Sequence, residues 1–304
     1  MVIFQKETFN KLTQRKRNMV NIKAVMKLTR IEHSFMLVFA VIVSIVTLNL
    51  QFPIEMYFYL FMCPFLVSAG AFALNDYFDV ETDKLNNKKT PIVSGEITKN
   101  NALLISILLL LFGILISLPL GINAFIIAIL FAVLSILYNY KLKDVALIGN
   151  IIISMSMAIV FIFTEIAISN TITQTSILMG LTSMFSGLGR EIYKTVQDVD
   201  GDVKARKSKT LPVLIGKEKS IHLGTISILL AILGAIYMYF EIIPMKENLF
   251  YLFTAGISIV LFLNAILIVY SKEKNFEKIR NLTLKAMTFG LISFLISGLI
   301  YFSL

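Results

Sequence analysis

The 304-residue sequence is 57% hydrophobic and only 15% charged, and its mean hydropathy is +0.81. A soluble domain carries about 25% charged residues, so this composition excludes an ordinary soluble domain and indicates a polytopic membrane protein. The single cysteine, Cys63, excludes an intrachain disulfide and a cysteine metal cage, and two histidines are too few for a histidine-built metal site.

The first 30 residues form a strongly basic arm that precedes the apolar part of the chain. This arm lacks the apolar core and the small-residue cleavage site of a secretory signal, so it is interpreted as a cytoplasmic anchor. A net charge of +9 would suit nucleic acid, but the distribution of the basic residues favours a membrane topology, and no nucleic-acid partner is expected.

Nine segments are long and apolar enough to be predicted as membrane-spanning helices. Their approximate ranges are 33–52, 54–78, 102–119, 121–139, 146–168, 175–197, 220–240, 248–271 and 282–303. With this number of spans, 27 of the 28 lysines and arginines fall on one side of the membrane, and only Lys246 falls on the other. The positive-inside rule then predicts an integral protein of the cell membrane with a cytoplasmic amino terminus and an external carboxyl terminus.

Two cytoplasmic connections resemble each other and predict an internal repeat. Residues 84–95 read KLNNKKTPIVSG and residues 204–216 read KARKSKTLPVLIG, and the string ISILL follows each at 105–109 and 226–230. The alternative is that both loops are simply basic, as cytoplasmic loops generally are. We predict an all-α bundle of nine transmembrane helices, residues 1–304, around a central cavity open to the cytoplasm. Its parts are the arm at 1–30, two related four-helix halves at 31–145 and 146–270, and a ninth helix at 282–303.

Two acidic runs, at 75–83 and 197–202, lie at the cytoplasmic ends of apolar segments and hold seven of the 19 acidic residues. Carboxylates packed this tightly repel one another unless cations neutralise them. A rotation of 100° per residue places the three aspartates of the first run on one helical face, and it pairs Asp198 with Asp202 in the second. Glu81 and Asp200 point elsewhere and are interpreted as surface charges.

If the two helix ends face each other, their oxygens surround one cavity and suit Mg²⁺. The predicted metal ligands are Asn75, Asp76, Asp79, Asp83, Asp198 and Asp202, and the five aspartates are also the predicted catalytic residues. The simpler alternative is that acidic residues merely end helices at the membrane surface. Two such runs on the same side of the membrane favour the site that binds metal and phosphate.

Basic and polar residues near the acidic runs are candidates for binding the substrate. They are Arg30, Asn75, Lys88, Lys89, Tyr138, Lys143, Asn150, Arg190, Lys194, Lys204 and Lys209. Tyr138 is interpreted either as an interfacial anchor or as a cavity wall whose ring stabilises a cation. Arg190 and Glu191 fall inside the sixth predicted span, where charges are costly unless they are paired, and this predicts a polar cavity that reaches into the bundle.

At these residues the chain resembles the UbiA superfamily of intramembrane prenyltransferases. The first signature, N-D-x-x-D-x-x-x-D, is matched from Asn75 to Asp83, and the second, D-x-x-x-D followed by a basic loop, from Asp198 to Pro212. The resemblance covers the full length of the chain. Within the superfamily, the strings NDYFDVETDKLN, YNYKLKDVALIGN and REIYKTVQDVDGDVKARKSKTLP look most like the archaeal digeranylgeranylglyceryl phosphate synthases.

This resemblance implies Mg²⁺-dependent transfer of a geranylgeranyl group from its diphosphate to geranylgeranylglyceryl phosphate, which forms the second ether of archaeal lipids. It implies a prenyl diphosphate donor, a lipid phosphate acceptor and membrane lipids as partners, with Arg30, Lys143 and Arg190 as unranked candidates for the acceptor phosphate. Two positions depart from the pattern of the relatives. Glu191 stands where aromatic-acceptor relatives often carry Asp, and Thr90 stands where relatives often carry Arg.

Two rival functions remain open. The string Ile31-Glu32-His33-Ser34 is somewhat similar to quinone-pathway relatives, so an aromatic acceptor such as 4-hydroxybenzoate is the main alternative. A secondary transporter would also have about this many spans and an internal repeat. Transporters place ionisable groups near the bilayer midplane, whereas the acidic groups here cluster at the ends of helices.

Overall fold

A computed structural model describes residues 21–85, 87–206 and 209–303, and the side chains at 200–206 lie outside this description. Within these ranges the chain is helical, and no strand is present. Eleven α-helices follow in chain order: α1 Ile22–Leu28, α2 Ile31–Thr47, α3 Met56–Leu85, α4 Lys99–Leu115, α5 Ile122–Tyr140, α6 Ile148–Ser169, α7 Gln174–Arg206, α8 Leu211–Ile215, α9 Lys217–Glu241, α10 Leu249–Tyr270 and α11 Phe276–Ser303. Short 3₁₀ turns lie at Leu118–Leu120 and Leu142–Asp144.

The described helices confirm an all-α integral membrane protein. Seven of them are long and apolar enough to cross a bilayer, and α1 with α2 would make an eighth although the pair is bent by 61°. Helix α7 falls outside this set because its second half carries Arg190, Glu191 and the second acidic run. Nine spans therefore stay a prediction, as does the division into two related halves.

Two helices continue well past their predicted apolar segments. Helix α3 extends to Leu85 rather than to residue 78, and α7 extends to Arg206 rather than to residue 197. Apolar periodicity marks only the part of a helix that needs lipid or core contacts, whereas the backbone continues as long as its hydrogen bonds are satisfied. As a result both acidic runs are helical, and their side chains follow helical spacing.

The long helices enclose a central space rather than a solid core. Helix α2 packs against α3, α6 and α11, and α7 packs against α6, α9 and α11. Large buried side chains, among them Leu60, Phe161, Met179, Tyr251 and Phe294, fill the end of the bundle that lies away from the acidic runs. The opposite end is therefore where a polar cavity can open.

Helices α7 and α9 approach each other closely through Gly189 and Gly224. A Cβ atom at Gly189 would lie 2.5 Å from Cγ1 of Ile228 and 2.6 Å from the carbonyl oxygen of Gly224. Small residues let the backbones of membrane helices come into direct contact. Dispersion forces then stabilise the packing, because no hydrophobic effect drives helices together within the bilayer. This contact fixes α7 one turn before Tyr193 and so helps to position the acidic run that follows.

The buried carboxylate of Glu165 holds the start of α7 at the other end of the bundle. Its side chain is 2% exposed, and Oε2 accepts hydrogen bonds from the backbone N–H of Thr173 at 2.9 Å and from its hydroxyl at 3.2 Å. A buried carboxylate without such donors would be costly. Glu165 is thus a structural group that links α6 to the loop before α7.

We expect Gly189→Ala to lower the free energy of unfolding by about 1–3 kcal/mol, because the added methyl group meets backbone that cannot move aside. Gly256→Ala is the matched control, since a Cβ atom there has no neighbour within 4 Å. In the interior of α10 the control should be neutral or stabilising by about 0.5–1 kcal/mol. Unfolding of both variants in detergent micelles measures the difference, and equal stabilities would contradict the close packing of α7 on α9.

Candidate active site

A cavity of about 1340 Å³ lies between the helices and is polar at one end and apolar at the other. Polar residues line it where the acidic runs lie: Arg30, Asn75, Asp79, Lys88, Tyr138, Lys143, Asn150, Arg190, Glu191, Lys194 and Asp198. Deeper in the bundle its walls are apolar and include Phe131, Phe161, Tyr251, Ala255 and Phe294. The predicted polar cavity that reaches into the bundle is therefore present.

The first acidic run presents one buried face, as its spacing predicts. Asp76, Asp79 and Asp83 are 2%, 8% and 4% exposed, whereas the side chain of Glu81 is 78% exposed. Asp79 lines the cavity directly. Three carboxylates within two helical turns would repel one another strongly in a site of low dielectric constant, so their charges need neutralisation.

Each of these aspartates pairs with a cation from a different part of the chain. The pairs are Arg30 Nη2 with Asp76 Oδ1 at 3.1 Å, Lys88 Nζ with Asp83 Oδ1 at 3.3 Å, and Lys143 Nζ with Asp79 Oδ1. The three cations belong to the bend between α1 and α2, the loop after α3, and the 3₁₀ turn after α5. Folding therefore assembles the mouth of the cavity by bringing three separate segments onto one helical face.

The amide of Asn75 is oriented by a neighbouring amide. Its Nδ2 donates to Oδ1 of Asn139 at 2.9 Å, and Nδ2 of Asn139 donates to the carbonyl of Ser135 at 2.9 Å. Asn139 is 2% exposed, so this relay is fixed by packing. The hydrogen bond to Asn139 uses only the amide nitrogen of Asn75. The side-chain oxygen of Asn75, which is the atom able to bind a metal, takes no part in that bond.

Glu191 and its neighbours form a second charged group on α7. One carboxylate oxygen accepts from Arg190 Nη1 at 2.8 Å, and the other accepts from Lys194 Nζ at 3.3 Å. Both oxygens are therefore used by cations, which explains how the charges of Arg190 and Glu191 are accommodated inside the bundle. Asn150 lies beside this group and donates to Thr195 Oγ1 at 2.8 Å.

The second acidic run is described only in part. Asp198 is exposed and lines the cavity. The side chains of Asp202 and Lys204 lie outside the described residues, although their backbone is part of α7. The pairing of Asp198 with Asp202 across from the first run thus stays a prediction.

Two predicted substrate-binding lysines do not line the cavity. Lys89 is exposed beyond Lys88, and Lys209 is exposed while its backbone N–H donates to the carbonyl of Asp144 at 3.1 Å. The latter bond ties the loop before α8 to the 3₁₀ turn that carries Lys143. Lys209 therefore contributes through its backbone, and its exposed side chain is not part of the cavity wall.

Several cavity-lining residues were not singled out from the sequence. They include Asn139, Thr210 and Arg280, whereas Glu32 and His33, which also line the cavity, were noted only for their similarity to quinone-pathway relatives. Thr210 follows the basic loop, and within the described part of the chain its buried hydroxyl has no hydrogen-bond partner. Arg280 is one of several basic residues between the apolar parts of α10 and α11. The positive-inside rule predicts basic residues there in any case, so the sequence did not indicate that Arg280 lines the cavity.

The described residues contain no group of three histidine, cysteine or acidic side chains arranged to hold a metal ion. The donor chemistry nevertheless fits Mg²⁺, because the buried carboxylates and the oxygen of Asn75 are hard ligands on one face. Each carboxylate is neutralised by a long side chain, and that of Lys88 is 60% exposed. Such a side chain can turn away when a divalent cation approaches.

The sequence profile of the UbiA prenyltransferase family matches residues 36–298. The chain belongs to this family. The predicted superfamily and the predicted class of enzyme, a prenyltransferase, are thereby confirmed.

Curated relatives cover most of the chain. A digeranylgeranylglyceryl phosphate synthase of Archaeoglobus fulgidus is 32% identical over 278 residues, which are 90% of this chain and 94% of that protein. A digeranylgeranylglyceryl phosphate synthase of Thermococcus kodakarensis is 29% identical over 243 residues, 79% of this chain and 84% of that protein.

Solved structures share the fold. A structure described as concerning digeranylgeranylglyceryl phosphate synthase in membranes is 29% identical with a TM-score of 0.75, covering 92% of this chain and 99% of that one. A UbiA homologue from Archaeoglobus fulgidus, bound to GPP and Mg²⁺, has a TM-score of 0.70 at 18% identity and covers 92% of this chain and 100% of that one. At 18% identity this second likeness establishes the fold alone.

We expect Lys143→Met to lower the free energy of unfolding by about 3 kcal/mol, because it removes an ammonium group from the buried carboxylate of Asp79. Adding Asp79→Asn should restore most of that loss, since a neutral amide no longer needs the ammonium group. The side chains of both residues are about one-tenth exposed. Unfolding of the two single variants and the double variant in mixed micelles measures the coupling.

The exposed pair of Lys84 with Glu81 is the control, because its side chains are 53% and 78% exposed. Breaking a solvated pair on a helix surface should change the stability very little. Additive effects of Lys143→Met and Asp79→Asn would show that the two charges do not stabilise each other.

Proposed function

We propose that this protein transfers a geranylgeranyl group from its diphosphate to the free glycerol hydroxyl of geranylgeranylglyceryl phosphate. The bond between the allylic carbon and the diphosphate oxygen breaks, and diphosphate leaves with the electron pair. The glycerol hydroxyl oxygen bonds to the allylic carbon to form the ether, and the hydroxyl proton passes to solvent. The observation that carries the proposal is the match to two digeranylgeranylglyceryl phosphate synthases at 29–32% identity over most of both chains.

The charges at the mouth of the cavity support the donor half of this reaction. Asn75, Asp76, Asp79, Asp83 and Asp198, with Asp202, would hold Mg²⁺, which would supply positive charge to a leaving diphosphate. A homologue of the same fold is bound to GPP and Mg²⁺. Lys88 and Lys143 line the same mouth, and their ammonium groups suit the oxygens of the donor's diphosphate.

The apolar interior supports the prenyl half. An allylic cation reacts with water, so it needs a dry site, and the deep walls around Phe131 and Phe161 are apolar. Tyr138 also lines the cavity, and its ring would stabilise a developing positive charge nearby. The isoprenoid tail can lie along these walls while its diphosphate stays at the polar end.

The orientation in the membrane is part of the proposal. The described helices carry their basic residues at the same end as the polar mouth, which is the cytoplasmic end by the positive-inside rule. The protein is then an integral protein of the cell membrane with its amino terminus in the cytoplasm, its carboxyl terminus outside and its active site facing the cytoplasm. Both phosphorylated substrates would be met on that side.

An aromatic acceptor is the second candidate. Glu32 and His33, from the string that is similar to quinone-pathway relatives, line the mouth of the cavity. The curated relatives favour the lipid phosphate acceptor instead. The transporter hypothesis is set aside, because the chain belongs to a prenyltransferase family.

We expect Asp79→Asn to reduce transfer by at least about 100-fold, because it removes a cavity-lining carboxylate that would help to hold Mg²⁺ at the leaving diphosphate. Glu81→Gln makes the same chemical change two residues further on the same helix, on an exposed side chain, and should keep normal rates. Rates with labelled donor at several Mg²⁺ concentrations measure both effects. Equal rates for the two variants would refute the assignment of Asp79.

The acceptor is identified by competition. We expect purified protein with one labelled geranylgeranyl diphosphate to prenylate geranylgeranylglyceryl phosphate and to leave 4-hydroxybenzoate unmodified when both are present. Product separation by chromatography gives the ratio of the two specificity constants directly. Prenylated 4-hydroxybenzoate as the main product would replace the proposed function by its alternative.

A further inference from the structure

The reaction brings two phosphorylated groups to one cavity, and the acceptor's phosphomonoester needs cations of its own. On the wall formed by α3 the three buried aspartates are already matched by three cations. Arg30 in particular is committed to Asp76 and also lies over the ring of Phe72, 5.2 Å from its centroid. With these pairs formed, this wall has no net positive charge of its own, and Mg²⁺ held there would be used by the donor diphosphate.

The opposite wall, formed by α7 and α11, differs in its charge. These two helices pack against each other, and Arg190, Lys194 and Arg280 from them all line the cavity. Among the described side chains, the carboxylates that line the same wall are Glu191 and Asp198, so three cations face two anions there. Asp198 lies eight residues beyond Arg190, about 12 Å along the helix, so positive charge dominates around Arg190.

The guanidinium of Arg190 has an unused side. Nη1 donates to Glu191 Oε1 at 2.8 Å, whereas Nε is buried and has no hydrogen-bond partner among the described residues. A buried donor without an acceptor is costly, and native structures rarely tolerate one unless a ligand, ion or water completes it. Nη1 lies on the side of the group away from the Nε hydrogen, so the edge formed by Nε and Nη2 remains for an anion. That edge is the one that binds two oxygens of a phosphate in parallel.

Glu191 holds this arrangement in place. Its carboxylate is 8% exposed and accepts from Arg190 on one oxygen and from Lys194 on the other. One carboxylate already restricts both cationic side chains before a ligand binds. The entropy that they lose on binding is therefore smaller than it would be for mobile side chains. Glu191 is therefore a positioning residue, which gives a role to the position that departs from the pattern of aromatic-acceptor relatives.

We propose that Arg190, assisted by Arg280 and Lys194, binds the phosphomonoester of the lipid acceptor. This inference rests on the proposed function and ranks Arg190 above Arg30 and Lys143 for that phosphate. The acceptor then lies against the α7–α11 wall and the donor diphosphate against the α3 wall. The glycerol hydroxyl, which is close to its own phosphate, is presented to the allylic carbon between them.

The test compares acceptors with and without the phosphate, geranylgeranylglyceryl phosphate and geranylgeranylglycerol. For Arg190→Gln we expect the KM of the phosphorylated acceptor to rise about 10- to 100-fold, because a charge-assisted pair is lost. The KM of the donor and the rate with geranylgeranylglycerol should change less than about twofold, since neither substrate uses the pair. Arg190→Lys should recover part of the affinity. Equilibrium binding of labelled phosphorylated acceptor without donor checks the result independently of catalysis.

Arg280→Gln repeats the test on an exposed residue near the start of α11, where we expect the substitution to leave folding unchanged. It should raise the same KM by a smaller factor, and Lys278→Gln, two residues earlier and outside the cavity, is its control. An unchanged KM for the phosphorylated acceptor in both arginine variants, or an equal loss with both acceptors, overturns this inference alone. If the unmodified protein transfers nothing to geranylgeranylglyceryl phosphate, the proposed function itself fails.

Discussion

The structure depends on the need to neutralise buried carboxylates. An ionised aspartate removed from water is strongly destabilising unless cations and hydrogen bonds surround it. Asp76, Asp79 and Asp83 are all buried on one face of α3, so each must attract a cation, and each does so from a different segment. The bend before α2, the loop after α3 and the 3₁₀ turn after α5 are held at the mouth of the cavity by this requirement.

A second requirement is that polar and apolar chemistry share one continuous cavity. The helices are lined by carboxylates, amides and ammonium groups at one end and by aromatic and aliphatic side chains at the other. An amphiphilic substrate with a diphosphate head and a hydrocarbon tail matches this gradient without a change of environment along its length. The same gradient keeps the charged groups of the protein out of the bilayer core, where they would be costly.

Helical spacing predicted the face shared by Asp76, Asp79 and Asp83, because a period of 3.6 residues is a local property of the backbone. It did not predict which cation meets which aspartate, since Arg30 and Lys143 reach α3 only through tertiary packing. Arg280 was hidden among other basic residues. Apolar stretches located the helices but ended too early at α3 and α7, where polar residues continue the helix.

The left-handed backbone of Arg30 links the mouth of the cavity to the amino-terminal helix. Its φ of 43° is costly for a residue with a side chain, and it lies at the 61° bend between α1 and α2. The ion pair with Asp76 helps to hold this conformation. A ligand cation that replaced the guanidinium at Asp76 would remove one restraint on the bend. The direction of α1 is thus thermodynamically coupled to the occupancy of Asp76.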